Sequence, residues 1–558
     1  MCVSRTKDVR VSIPMKKICS ILIPALFVAL AAMPARAAAP SGCDNAEFQY
    51  SVVLNNQSIG SKAAYDFVAY VWIPPSCERV RGLFLTHQNV GEELLTEHPL
   101  IREVCAKNDI AIIWSNPPLD RSYRTVTPQF IALQQKMLDQ LAEISGYAEL
   151  ATAPWITFGH SSTTIFAHKL AEAFPDRTIG VISAKGGFSY PEFDKYNGPV
   201  VYTGGQFPEW RQPTQDWKTR GRSLKVLQSV REVQARQFRP VSFVEECGDG
   251  HFDFSEPYIK FLALYMDRIC KHRIKPDGTL RPVDPNDGYI VDMQLPLPVL
   301  PLKAKRYADA TGEERNAPFF IDRETADAAV ELMSYLGSWQ RKNQIVAFVN
   351  LDGTPALFNS NGIVGPVPVE YEADGVTIKR FATAFLDKLP ADFKQAGLKF
   401  GHAKTGERTI EWVCGMLKPA PDGKWRIQLN RSYEWPGQMR NFIVVRHPGD
   451  AEYRPSVQPA RFVPPEYNGK QHKVNFPAIA DCNVNTKEIP LKATCTNKKQ
   501  VYYYVRSGPV KVEDGKLVML PLPPRAKYPV KVTVVAWQIG REGKDPFVTA
   551  ERSFNITK

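Results

Sequence analysis

Between residues 48 and 272, short and nearly unbroken apolar runs alternate with longer stretches whose apolar residues recur at helical spacing. Eight of the runs read as strands: FQYSVVL, YDFVAYVWIP, GLFLTHQ, DIAIIWSNPP, PWITFG, TIGVISAKGG, GPVVYTGG and PVSFVEEC. Helices are expected over 91–107, 128–146, the stretch after Ser161, 214–237 and 256–272. Strands that lack polar alternation are buried on both faces. The pattern therefore predicts an α/β fold, a mostly parallel eight-stranded sheet with helices on both sides. The stripe of Tyr258, Phe261, Leu262, Leu264 and Tyr265 then belongs to the core.

The texture changes after residue 273. KPDGTLRPVDPNDG is rich in turn formers and LPLPVLPLKA is extended, and short β segments follow with one helix expected inside 316–340. A second break, RFVPPEYNGKQHK, precedes a block in which strands and turns alternate at roughly ten-residue spacing, as in an immunoglobulin-like sandwich. The expected division is 43–273 for the α/β domain, 274–465 for a linker and β-rich middle domain, and 466–558 for the sandwich. With its own core, the first of these should be able to do its chemistry alone.

The first 37 residues stand apart from this. MKKICSILIPALFVALAAMPARA joins two lysines, an apolar run and an A-x-A ending at Ala37, which reads as a secretory signal peptide with Met15 as the better start. The protein is expected to be secreted or periplasmic. Cys43 follows PSG in a lipoprotein-like context, and weak lipid anchoring there is the one membrane association to weigh. Five of the twelve net positive charges leave with residues 1–37, so the remaining chain is mildly basic. It has no Lys/Arg stripe interleaved with aromatics, and nucleic acid is not an expected partner. The eight remaining cysteines (43, 77, 105, 247, 270, 414, 482 and 495) would meet an oxidising compartment, where a disulfide between Cys482 and Cys495 is expected. No cysteine or histidine spacing suggests a metal, and no cofactor is expected.

Candidate chemistry sits in TFGHSSTTIFAHKLAEAF, where an apolar strand turns into an amphipathic helix at Ser161. His251 lies in EECGDGHFDF, just past the eighth strand. A serine hydroxyl becomes a competent nucleophile when an imidazole takes its proton and a carboxylate orients that imidazole. Ser161 follows the fifth strand and His251 the eighth, which is the order that chemistry takes on such a sheet.

On these residues positions 82–272 resemble the α/β-hydrolase superfamily, near its secreted esterase and dienelactone-hydrolase-like members. The resemblance implies Ser161 as nucleophile and His251 as general base. The oxyanion donors would be the backbone N–H of Ser162 and one from the loop THQNVGEE, at Gln88 or Asn89. His87 in that loop could shape the pocket. Two departures stand out. Thr163 replaces the second glycine of G-x-S-x-G, while Gly159 is kept; Ser162 is the rival nucleophile. In VYTGGQFPEW, Phe207 stands where the acid would fall, so Glu209 is the expected acid, with Glu192, Asp194 and Asp216 as alternatives.

FSYPEFDKYN between the sixth and seventh strands is too short for a lid, so an open cleft is expected, with Trp72, Trp210 and Trp217 available to line it. Export together with an attached β-rich half resembles bacterial carbohydrate esterases carrying polysaccharide-binding modules. The expected activity is hydrolysis of acyl or aryl-acyl esters on polysaccharide. A polyester hydrolase or lipase, a serine peptidase of the same fold, and a surface-binding protein with a decayed hydrolase domain are the rivals.

Overall fold

The structure, a computed structural model, describes residues 48–558 except 56–65, 117–126, 187–194, 206–220, 247, 294–299, 335–339, 360–361, 390, 392–396, 434–440, 468 and 543–544. The eight apolar runs form one sheet: β1 (Tyr50–Leu54), β2 (Phe67–Trp72), β3 (Gly82–His87), β4 (Ile110–Asn116), β5 (Trp155–His160), β6 (Thr178–Ala184), β7 (Val200–Gly205) and β8 (Val241–Glu246). Their order is β1-β2-β4-β3-β5-β6-β7-β8. β2 runs antiparallel to both its neighbours, and every pairing from β4 to β8 is parallel. This is the α/β-hydrolase sheet.

Among the described residues six helices connect or cover the strands. They are α1 (Glu92–Glu97), α2 (Pro99–Lys107), α3 (Pro128–Ser145), α4 (Thr164–Ala173), α5 (Gly221–Arg236) and α6 (Glu256–Arg273). The single helix expected over 91–107 is two, because His98 is extended (ψ 131°) ahead of Pro99 and caps α2 by accepting from the Leu100 N–H. Residues before proline are pushed out of the helical region, and proline suits a helix's first position. The other helices end within a few residues of expectation; residues 214–220, where the start of the helix over 214–237 was expected, lie outside the described residues, and Thr127 and Ser255 cap α3 and α6.

Side chains alternate across the sheet, so Phe84 faces one core while Leu83 and Leu85 face the other. These two cores do not stop at residue 273. On the Phe84 side the core continues into Val291, Met293, Phe320 and α7 (Arg323–Leu332), the helix expected within 316–340. On the Leu83 side it continues into Val505, Val532, Val534 and Phe554. The last region holds a four-stranded sheet ordered Cys482–Asn483, Asp545–Thr557, Val530–Glu542, Tyr502–Ser507, and a three-stranded sheet ordered Glu488–Pro490, Lys516–Met519, Val510–Glu513. The described residues fall in one compact unit. The division at 273 is a change of texture and does not bound a separate core.

Two further expectations change. Cys482 and Cys495 are both free thiols, as are Cys77, Cys105 and Cys270. Cys482 lies on a strand paired with the end of Asp545–Thr557, whereas Cys495 pairs beside Val474, so proximity in sequence does not put them on one sheet. Nor is the sheet's site end bare. Val413, Cys414, Phe442, Val444 and Val457 of the β-rich region pack with Val90 and Phe252 of the α/β region. The open cleft expected from the short β6–β7 connection is thus walled by the β-rich half. Among the described residues no helix is long and apolar enough to cross a membrane.

Candidate active site

Ser161 follows the last residue of β5 and has φ +57°. For a residue with a Cβ this left-handed conformation costs about 1–2 kcal/mol, and it persists where the surroundings enforce it. A single 3₁₀ turn, Ser161–Thr163, leads from it into α4. The turn is tight: a Cβ on Gly159 would lie 2.3 Å from the Thr163 carbonyl oxygen. Glycine two places before Ser161 is therefore a steric requirement.

The opposite position, Thr163, neither points away nor widens the turn. Its hydroxyl is buried 2.6 Å from Glu92 Oε1 and 2.8 Å from the His160 carbonyl. Glu92 begins α1 and is fully buried. Besides Thr163, its carboxylate accepts from the backbone N–H groups of His160 (2.9 Å), Asn89 (2.8 Å) and Val90 (2.8 Å). Burial holds the Glu92 pKa above the usual carboxylate range, with these donors pulling the other way. One acid thus ties the β5 elbow to the loop after β3. The sequence signal for it was faint: an acidic pair at a helix start is ordinarily a solvated one.

That same tie corrects the oxyanion assignment in the β3 loop. The Gln88 N–H donates to the Ser115 carbonyl at 2.9 Å, completing the β3–β4 pairing, and the Asn89 N–H is committed to Glu92. Gln88 Oε1 accepts from Trp114 Nε1 and Asn89 Nδ2 donates to the His160 carbonyl. The Gln88 amide cannot also serve an oxyanion. Ser162 is the second residue of the turn that Ser161 begins. His87 is buried, contacts Ser115 Oγ and lies 3.9 Å from the Phe166 ring. Burial pushes its pKa down to about 3, so it is a neutral core residue.

His251 reaches the elbow from the loop after β8, with its Nε2 2.9 Å from Ser161 Oγ. Ninety positions apart in sequence, the two are brought together by the parallel order of β5 to β8. The loop comes in close, for a Cβ on Gly205 at the end of β7 would meet the Gly250 carbonyl at 2.4 Å. His160 also holds it: a carbonyl only accepts, so His160 Nε2 carries the proton it donates to the His251 carbonyl at 2.7 Å. His160 thereby pins the histidine loop to the elbow.

Charged side chains surround that loop. Asp249 and Asp253 flank His251 and are buried, as are Glu246 at the end of β8 and Lys185 at the end of β6. Lys185 Nζ lies 2.8 Å from Glu246 and 3.9 and 3.8 Å from Asp249 and Asp253. Burial opposes its charge, but the three carboxylates prevail and keep it protonated. Burial, with the charge of Asp249 adding to it, pushes Glu246 up to about 8. A second cation is Arg446 from the strand Phe442–His447, bound to Asp249 Oδ1 at 2.7 Å, to Asp253 and to the Gly248 carbonyl.

Glu209, the expected acid, lies outside the described residues, as do Glu192, Asp194 and Asp216, and also Trp210 and Trp217. Trp72 is buried, with the Arg102 guanidinium 4.6 Å from its ring, and lines a pocket with Gln49, Glu97 and Pro509. Among the described residues no group of His, Cys, Asp and Glu could hold a metal.

Fold and site together define a serine–histidine pair on an α/β-hydrolase sheet. No protein-family model and no curated protein sequence matches the chain. Solved structures similar to part of it include the fluorophosphonate-binding serine hydrolase F of Staphylococcus aureus (13% identity, 40% of this chain, 97% of that one, TM-score 0.28). Another is the siderophore hydrolase EstA of Aspergillus nidulans (12% identity, 40% and 95% covered, TM-score 0.29). A third is LpqC, a poly(3-hydroxybutyrate) depolymerase of Bordetella parapertussis (15% identity, 42% and 90% covered, TM-score 0.27). At such scores the likeness carries no weight for activity, which must come from the site itself.

Proposed function

We propose that the chain is a serine-dependent carboxylic ester hydrolase. One observation carries this: Ser161 sits in a left-handed turn at the end of β5, with Oγ 2.9 Å from His251 Nε2. In the proposed reaction His251 accepts the Ser161 proton as Oγ attacks the ester carbonyl, and then passes it to the departing alkoxide. Water, deprotonated by the same imidazole, attacks the acyl-enzyme and regenerates Ser161. The Ser162 N–H meets the oxyanion, and Glu209 orients His251 as the acid.

The substrate we advance is an acyl or aryl-acyl ester on polysaccharide, met outside the cytoplasm after removal of residues 1–37. What supports this is the signal-like leader and the attachment of β-rich segments to an esterase-like sheet. Those segments share its cores, so they wall the site and are not tethered modules. Hydrolysis of a small aryl acetate, an acetylated or feruloylated polysaccharide and a polyester film, with Ser161→Ala as the blank, tests the reading. Faster release from the polysaccharide supports it, preference for the film favours a polyester hydrolase, and no release from any of the three contradicts an ester hydrolase.

A further inference from the structure

The β-rich half does more than cover the sheet, because one of its side chains ends inside the histidine loop. Arg446 is nearly two hundred residues beyond Asp249 in sequence, yet its two terminal nitrogens divide between the two carboxylates that flank His251. Nη1 binds Asp249 Oδ1 and the Gly248 carbonyl, and Nη2 binds Asp253 Oδ2. From outside, Glu411 on the neighbouring strand Thr409–Cys414 accepts from Arg446 Nε at 3.1 Å and fixes the plane of the fork. Phe442, on the same strand as Arg446, stacks on Phe252 at 5.0 Å. The loop is therefore gripped by one strand on both sides of His251.

The grip has an electrostatic reason. Asp249 and Asp253 are buried, and Lys185 stands at 3.8–3.9 Å from both while bonding Glu246 more closely. With that ammonium drawn toward Glu246, two buried carboxylates four residues apart would repel one another, and the loop joining them would open toward water. A guanidinium supplies the second charge, and its planar fork spans two acceptors at once, which an ammonium on a flexible stem does not. The side-chain hydrogen bonds of Arg446 go to Gly248, Asp249, Asp253 and Glu411.

We propose that Arg446 is a positioning residue for His251, so that the β-rich half completes the catalytic site. The inference rests on the reading of His251 as the general base. Held by Arg446, the backbone on both sides of His251 keeps Nε2 at hydrogen-bond distance from Ser161 Oγ. Released, the loop moves, and a misplacement near 1 Å is enough to cost on the order of a hundredfold in rate.

The test uses the full chain and the Arg446→Met and Arg446→Lys variants. Three quantities are read on each: the rate of Ser161 labelling by a fluorophosphonate, kcat and KM on a small aryl acetate, and amide exchange over 248–253. Arg446→Met should label roughly a hundredfold more slowly, with kcat lowered and KM within about threefold, since the guanidinium is bound to the loop and to Glu411. Exchange over 248–253 should speed up at least about tenfold while the strands β3 to β6 stay protected. Arg446→Lys keeps the charge without the fork and should fall in between, which a purely structural role would not require. If Arg446→Met does not fold, the lysine variant alone decides, with about a tenfold slower labelling expected. Labelling and exchange unchanged in a folded variant would overturn the proposal, as would a loss that only tracks the unfolded fraction. If the parent protein itself is not labelled, the hydrolase reading fails, while exchange over 248–253 still decides whether Arg446 holds the loop.

Discussion

Replacing Thr163 by valine keeps the shape of the elbow and deletes one hydroxyl. That hydroxyl lies 2.6 Å from Glu92 Oε1, and a hydrogen bond to a carboxylate is worth about 1.5–3 kcal/mol net. The His160 N–H and carbonyl keep other partners, Glu92 Oε1 and Asn89 Nδ2, so neither is orphaned. The cost should therefore be near that one bond, about 2 kcal/mol. The strain of Ser161 at φ +57° is of the same size, about 1–2 kcal/mol. Thr163 thus supplies roughly what holds the strained turn, and a relaxed turn gains up to about thirtyfold in relative population when it is lost. Denaturant unfolding should register about 2 kcal/mol, and a fluorophosphonate should label Ser161 tenfold or more slowly. Thr163→Ser restores the hydroxyl and should stay within about threefold of the parent in labelling. A valine variant with parental stability and labelling would refute the idea that Thr163 braces the elbow through Glu92.

Two other perturbations give definite outcomes. A chain ending at Arg273 loses Arg446 from the histidine loop. It also loses Arg431 and Lys418 from the buried Glu97, which they meet at 2.7 and 3.6 Å, and the strands that complete the Leu83-side core; it should be insoluble or unlabelled, and a folded fragment cleaving aryl acetate like the full chain would contradict the shared core. Glu246, raised to about 8 by burial, binds a proton more tightly when folded than unfolded, so its contribution to stability is complete below about pH 4.5 and is lost as pH rises through about 8; Glu246→Gln should flatten that decline in denaturant unfolding between pH 5 and 9, and an unchanged slope would show that Glu246 is ionised throughout.

The sheet was legible because its strands are buried on both faces: unbroken apolar runs such as Ile110–Trp114 have few other places to go. Ser161 and His251 were legible through their positions at strand ends, which local pattern and chain order give together. Glu92 was not, because its role arises where two loops converge, and a lone sequence shows it only as an acidic helix start. Arg446 was beyond reach for the same reason at longer range, since nothing in VVRHPG marks a partner in GDGHFDF. The texture break at 273 misled because linker-like composition says nothing about where the following chain packs. The cysteine reading misled because compartment and even number bear on whether thiols are oxidised and leave open which two strands lie side by side.

The central claim is that Ser161, activated by His251, is the nucleophile. The most direct measurement treats the full chain with a fluorophosphonate and maps the modified peptide, in the parent and in His251→Ala. The account predicts a single adduct on Ser161, none on Ser162, and labelling slowed by about a thousandfold or more without the imidazole. An unlabelled Ser161 in the folded parent, or an adduct on Ser162 instead, would contradict it.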